Sequence, residues 1–344
     1  MPGRFWSTAR LRSTIKNDSI PLPEDGKEDE LRRYRVAASC YEPDMSQTIE
    51  GRLKSLQAHL TALLEQQKPD LVVIPEMALV PDMDKQPNCE AEPIDGPTIS
   101  LGTELAARHH ANLVLPIIED DGGRKYNTAV LIDRSGRVAG TYRKMTPTVG
   151  EMDLGVLPGP QSPDPVVLDG LRIGTAICYD ENYPDLLWNY LRKQIDLLVF
   201  PSYTFGGRLM AAWALYCGVP LVCAFPWEAV IYDRDGSILV EAGTWTSTVR
   251  LGNHAAWIAC DLDMQCRVYH LDDNQNKIAE MGRRYGGKVD IRLAVREARM
   301  QVTVRSDDLD IDHIQQEMGL VPLNVYIAET RARADRLREA GGKP

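Results

Sequence analysis

The chain lacks most of the signatures that announce a function at sight. Neither a Walker glycine-lysine loop nor a Rossmann GxGxxG fingerprint occurs, which removes the usual phosphate- and dinucleotide-binding readings. Seven cysteines, at 40, 89, 178, 217, 223, 260 and 266, form no CxxC pair. An odd, irregular set suits a reducing compartment better than a disulfide framework. The histidines show no metal-ligand spacing, and the adjacent pair His109 and His110 reads as a helix end. No metal and no cofactor is therefore expected. There is no secretory signal, and no apolar run is long enough to span a bilayer. Positive charge is in deficit: 39 Lys and Arg stand against 49 Asp and Glu, a net charge of −10. That balance argues against nucleic acid or an anionic membrane as the main partner. A small-molecule partner and a cytoplasmic setting are the expectations left.

What is present is ample core material, 44% hydrophobic over 344 residues, enough for one large α/β domain. Residues 1–33 have mixed charge, with Arg4, Arg10, Arg12 and Lys16 in a basic start, and read as an arm, flexible or packed on a partner subunit. From Tyr34 a regular alternation begins. The pattern predicts strands at Arg35–Cys40, Asp70–Pro75, Leu113–Ile118, Tyr126–Ile132 and Val138–Tyr142, with helices at Thr48–Gln67 and Ile99–His110. It resumes at Leu171–Ile177, Leu197–Phe200, Val219–Ala224 and Trp257–Leu262, so that two similar halves of strand and helix units make one α/β domain over 34–300. From about 264 the strand signal fades. The remainder, with 301–344 as a unit, reads as a helical tail with helices near 308–317 and 323–340, a subunit contact.

The organising stretch is 171–203, LRIGTAICYDENYPDLLWNYLRKQIDLLVFPSY. A buried strand ends at Cys178, a polar turn follows, and Pro184-Asp185 opens a helix. A strand's carboxyl end is where an open α/β sheet presents its chemistry. A helix start close by would favour the thiolate. A free cysteine is most often only a small buried hydrophobe, so Cys178 needs partners. Glu76 and Lys144 also follow predicted strands directly. The conjunction of an acid, an ammonium and a thiol at three strand ends is what raises the stretch above its bland reading.

Three motifs then carry a resemblance: Val73-Ile74-Pro75-Glu76, Tyr142-Arg143-Lys144-Met145-Thr146-Pro147 and Ala176-Ile177-Cys178-Tyr179-Asp180. With Asp95-Gly96-Pro97, Tyr126-Asn127-Thr128, Asp233-Arg234-Asp235-Gly236 and Ala259 to Asp263, they resemble the nitrilase superfamily of carbon–nitrogen hydrolases over about 35–300. The resemblance implies a four-layer α-β-β-α sandwich whose subunits pair through helices into a homodimer or higher homo-oligomer. It implies Cys178 as nucleophile, Glu76 as general base and acid, and Lys144 with the backbone N–H of Tyr179 as oxyanion donors. Glu151, standing where a further glutamate is expected, would orient Lys144 or the substrate amine.

True nitrilases place Trp-Glu after the cysteine, whereas this chain has Tyr179-Asp180, and the run to Trp188 resembles aliphatic amidases. A small amide is thus the expected substrate, cleaved through a thioester. The alternatives are a nitrile, an N-carbamoyl amino acid with Arg143 or Arg208 gripping its carboxylate, acyl transfer to an amine, and a non-catalytic scaffold. The 202–232 loops are short for the family, so the pocket mouth is expected to be open or closed by a partner subunit. Its candidate walls are Tyr179, Tyr183, Tyr203, Phe205 and Trp227.

Overall fold

The computed structural model describes residues 32–79, 91–243 and 257–341. The basic N-terminal arm, Cys89 and most of the 82–97 loop lie outside the described residues. The alternation from Tyr34 onward becomes β1 (Arg33–Ser39), α1 (Ile49–Gln67), β2 (Leu71–Val73), α2 (Pro97–His109) and β3 (Asn112–Asp121). Thr48 caps α1 by accepting from Gly51 N at 3.2 Å, and His110 ends α2 in the left-handed region, the helix end its sequence suggested. Hairpins add β4 (Arg124–Ile132) and β5 (Val138–Arg143), followed by the short α3 (Val149–Asp153).

The second half repeats this plan. It runs β6 (Val166–Leu168), β7 (Leu171–Thr175), α4 (Pro184–Arg192), β8 (Leu197–Pro201), α5 (Arg208–Cys217), β9 (Leu221–Ala224), β10 (Glu228–Tyr232) and β11 (Ile238–Gly243). β12 (Trp257–Asp263) crosses back to the first half. One sheet has the order β12-β1-β2-β3-β4-β5 and the other β6-β7-β8-β9-β10-β11. Each reads, from its first strand, antiparallel, parallel, parallel, antiparallel, antiparallel. The likeness extends to detail. Both β4–β5 and β10–β11 carry a bulge before their turns, at Leu131/Ile132 and Ile231/Tyr232. The turns end in Gly136 and Gly236, at φ +83° and +78°. A Cβ at either would sit 2.6 Å from a carbonyl oxygen, of Thr103 on α2 or Ala211 on α5, so glycine is needed twice for one reason.

Strand alternation sorts the core into layers. Val36, Ala38, Leu71, Val73 and Val114 join the cluster between the sheets, while Ala37, Val72, Leu113 and Leu115 face Leu56, Leu60 and Leu105 of α1 and α2. On the far side α4 and α5 cover the second sheet through Leu186, Tyr190, Met210 and Trp213. The result is the helix–sheet–sheet–helix sandwich that the motifs implied. No described helix is long and apolar enough to cross a membrane.

The region after 264 departs from expectation. It holds a third sheet, β13 (Cys266–His270), β15 (Arg299–Val304) and β14 (Val289–Ala294), in that order. With the short α6 (Leu271–Asn274), α7 (Ile278–Tyr285) and α8 (Ile311–Met318), it builds its own core of Tyr269, Met281, Met300, Val302 and Ile314. A domain boundary at 300 therefore cuts β15. These strands escape a search for continuous apolar runs because only one face is covered, leaving a period-two pattern such as Met300, Val302, Val304. The final helix α9 (Leu323–Glu339) lies on α4, with Ile327 and Ala328 against the main core and the Arg331 guanidinium 5.7 Å from the Trp188 ring centre.

Candidate active site

Glu76, Lys144 and Cys178 reach one place because β2, β5 and β7 all end at the same edge of the sandwich. Each of these strands runs out into a tight turn. Met77, directly after Glu76, adopts φ +56°, and Cys178 itself adopts φ +47°. A left-handed non-glycine residue costs about 1–3 kcal/mol and persists only where its surroundings hold it. Here Asp180 does so. Its Oδ2 accepts from Tyr142 OH at 2.6 Å and Ile177 N at 3.0 Å, and its Oδ1 accepts from Thr146 N at 2.9 Å. The Cys178 turn is thereby tied to both sides of Lys144. Burial pushes this carboxyl up to about 6 against those three donors.

The charged centre is nearly sealed. Lys144 is 1% exposed and Glu76 2%. Lys144 Nζ donates to Glu76 Oε1 at 2.9 Å and to Glu151 Oε2 at 2.8 Å. Asn127 Nδ2 donates to the same two carboxylates, at 2.7 Å each. Tyr203 N donates to the second oxygen of Glu76 at 2.9 Å. Glu151 is held by α3, where Thr148 and Glu151 form a capping box: Thr148 N donates to Oε2 at 2.7 Å and Thr148 Oγ1 accepts from Glu151 N at 3.2 Å. Burial opposes the Lys144 charge, but Glu76, Cys178 and Glu151 together raise its pKa above the ordinary lysine value. For Glu151 burial acts upward and Lys144 downward, and the net shift is downward.

Cys178 Sγ lies 3.4 Å from Thr204 Oγ1. Its thiol is pushed up to about 11, first by burial and then by the charge of Glu76, with Lys144 pulling the other way. The expected thiolate-favouring effect of a helix start does not prevail, because the turn is only a short 3-10 helix (178–182) in an enclosed, acid-rich site. Both influences favour the protonated thiol over the thiolate.

The proposed walls fall into two groups. Tyr179 and Tyr183 pair edge-on, ring centres 5.8 Å apart. Tyr203 and Phe205 flank Thr204 and meet Trp227 at 5.5 and 6.4 Å, and Phe205 also packs on the buried Phe225 at 5.3 Å. Trp227 Nε1 donates to the Glu42 carboxylate. The carboxylate grips fare less well. Arg143 binds Glu119 at 2.6 Å and Asp121 at 3.2 Å and lies 4.0 Å over the Tyr126 ring, while Arg208 is exposed at the start of α5. Asn127 and Asp180 stood inside motifs without an assigned role; their function as braces depends on long-range contacts that spacing does not reveal.

Residues 35–254 match the family model described as carbon-nitrogen hydrolase. A formamidase of Bacillus thuringiensis is 26% identical over 192 residues, 53% of this chain and 54% of the relative. The chain thus spans about half the length of such curated relatives. Among solved structures, an amidase from Nesterenkonia sp. superposes with a TM-score of 0.57 at 20% identity, covering 74% of this chain and 97% of that one. Saccharomyces cerevisiae Nit3, of branch 10 of the nitrilase superfamily, gives 0.56 at 20% identity, covering 76% and 100%. The matched span contains Glu76, Lys144, Glu151 and Cys178, and the chain belongs to the carbon-nitrogen hydrolase family.

Proposed function

We propose that the protein hydrolyses the carbon–nitrogen bond of a small amide through a thioester on Cys178. The observation that carries this reading is the Lys144 ammonium bonded to both Glu76 and Glu151 beside a buried thiol in a strained turn. An amide carbon is a weak electrophile, so attack requires a thiolate formed in place and a stabilised oxyanion. Glu76 takes the Cys178 proton as sulfur bonds to the carbonyl carbon. Lys144 and the Tyr179 backbone N–H hold the oxygen anion. Collapse breaks the C–N bond while Glu76 returns the proton to the leaving nitrogen, which departs as ammonia or an amine. Water, deprotonated by Glu76, then attacks the thioester; the acid leaves and the thiol is restored. Glu151 and Asn127 keep Lys144 and Glu76 aligned throughout.

Amides are favoured over nitriles by the Tyr179-Asp180 pair after the cysteine, and the formamidase and amidase relatives agree with that choice. N-carbamoyl amino acids are disfavoured because Arg143 already serves Glu119 and Asp121. The test is ammonia release from a panel of small amides, nitriles and N-carbamoyl amino acids, with Cys178→Ala alongside. Amide turnover that falls by at least about a thousandfold in Cys178→Ala is expected for loss of a nucleophile. Turnover of nitriles alone, or amide turnover that survives the substitution, would overturn the assignment. Added hydroxylamine would divert the acyl group and expose a transferase.

A further inference from the structure

The short helix that begins at Cys178 also carries Glu181, a residue the reaction above does not use. Glu181 lies three residues after the nucleophile in that turn. Its carboxyl lies against the β8–α5 loop: a Cβ built on Gly206 would come within 2.7 Å of Glu181 Oε2. This loop is already part of the site, because Thr204 touches Cys178 and Tyr203 N binds Glu76. Glu181 Oε2 is buried there and meets no hydrogen-bond donor among the described residues, although the residue as a whole is only half-buried. Burial raises the carboxyl to about 7, as expected for an ionised oxygen without a compensating donor.

Carboxylates predominate in the surroundings, and the exposed Arg208 at the start of α5 is the cation that closes the loop. The buried Cys223 thiol is raised by burial and then by Glu181 and Glu228, and Glu42 accepts from Trp227. Lys144 is held by Glu76 and Glu151, and Arg143 by Glu119 and Asp121. Tyr203, Phe205 and Trp227 present aromatic rings at the same loop. Carboxylates beside aromatic rings attract a cation and repel an anion.

We propose that Glu181 is a specificity-determining residue that selects small amides bearing a second, positively charged amino group, binding that ammonium while Cys178 attacks the amide carbonyl. The proposal rests on the amide-hydrolase reading. A change of the χ1 or χ2 rotamer of Glu181 carries the carboxyl from beneath Gly206 toward the ligand without a change of backbone. The ammonium then supplies the donor that the carboxylate lacks.

The test compares kcat/KM for 3-aminopropanamide with butanamide, and for 4-aminobutanamide with pentanamide, each pair differing by ammonium against methyl. The wild-type protein is expected to favour an ammonium-bearing member by at least about tenfold. Glu181→Gln should bring that ratio close to one, chiefly through KM, and Glu181→Asp should restore part of it. If Glu181 only braces the loop, both members of a pair lose activity together and the ratio stays as it was, which overturns the proposal. A wild-type ratio at or below one does the same. The Cys178→Ala protein titrated with the same pairs by calorimetry separates the two readings. Absence of amide turnover would sink the hydrolase assignment, while the binding ratio with and without Glu181→Gln still decides cation selection.

Discussion

A thiol raised to about 11 is almost wholly protonated at neutral pH, by about four orders of magnitude. In the proposed reaction Cys178 would therefore depend on Glu76 to remove its proton during attack, with free thiolate contributing little. The direction of the shift has two consequences. Because the folded-state pKa exceeds the ordinary value of 9.0, the buried thiol favours folding below that pH, and this contribution is lost as pH rises toward 11. In the free protein, alkylation of Cys178 by iodoacetamide should climb about tenfold per pH unit and level off only near 11. A pH–rate profile of modification, read by mass spectrometry at Cys178, checks this. A plateau already reached at pH 9 would contradict the geometry of an enclosed thiol beside Glu76.

At the scale of elements, the site depends on where strands stop. The end of β5 is pinned from outside: Gly159 N donates to Lys144 O at 2.8 Å, and Lys144 N donates to Asn127 O at 2.8 Å. A Cβ on Gly159 would lie 2.1 Å from the Arg143 carbonyl oxygen, and backbone cannot swing aside as a flexible side chain can. Gly159→Ala is thus expected to displace the Arg143–Lys144 backbone. It should cost about 1–3 kcal/mol of stability, as overpacking does, with a larger fall in kcat than in stability. Urea unfolding together with steady-state kinetics measures both; an unchanged kcat in a folded variant would show that Lys144 does not depend on this contact. The order β1–α1–β2–α2–β3 was legible because α1 and α2 carry leucines at helical spacing and the parallel strands are continuous apolar runs. The β13–β15–β14 sheet was not, because its half-solvated strands alternate.

At the scale of the whole molecule, the two halves and the C-terminal sheet meet along the amino ends of β7, β8 and β9. There a groove of about 1010 Å³ is lined by Arg172, Asp196, Cys217, Arg267 and Leu323. Leu323, at 2% exposure, packs over Gly218 at the end of α5, and a Cβ at that glycine would be 2.9 Å from it. Leu323→Ala is expected to cost about 2–5 kcal/mol, as large-to-small core substitutions do. Coincident displacement of the urea transitions seen by tryptophan fluorescence and by circular dichroism would show one cooperative unit. A transition that splits in two would show that the C-terminal part unfolds separately.

The sequence by itself determined most of the elements before residue 264, the family and the chemically potent side chains, because periodicity, strand ends and the Pro75-Glu76, Arg143-Lys144 and Ile177-Cys178 motifs are local properties. It singled out Cys178 by its motif but not what surrounds the thiol. Cys40-Tyr41-Glu42 follows β1 much as Cys178-Tyr179-Asp180 follows β7, and the two sheets share one strand order. The tertiary structure shows how differently the two thiols are placed. Cys178 alone of the two has the left-handed turn, with Asp180 bracing it from Tyr142 and Thr146, and it alone is influenced by both Glu76 and Lys144. The Cys40 thiol is raised by burial and by Glu228, with no cation among those causes. The reason is physical: a thiol's reactivity is defined by what long-range packing brings beside it, and Glu76 and Lys144, which meet next to Cys178, stand 68 positions apart in the sequence.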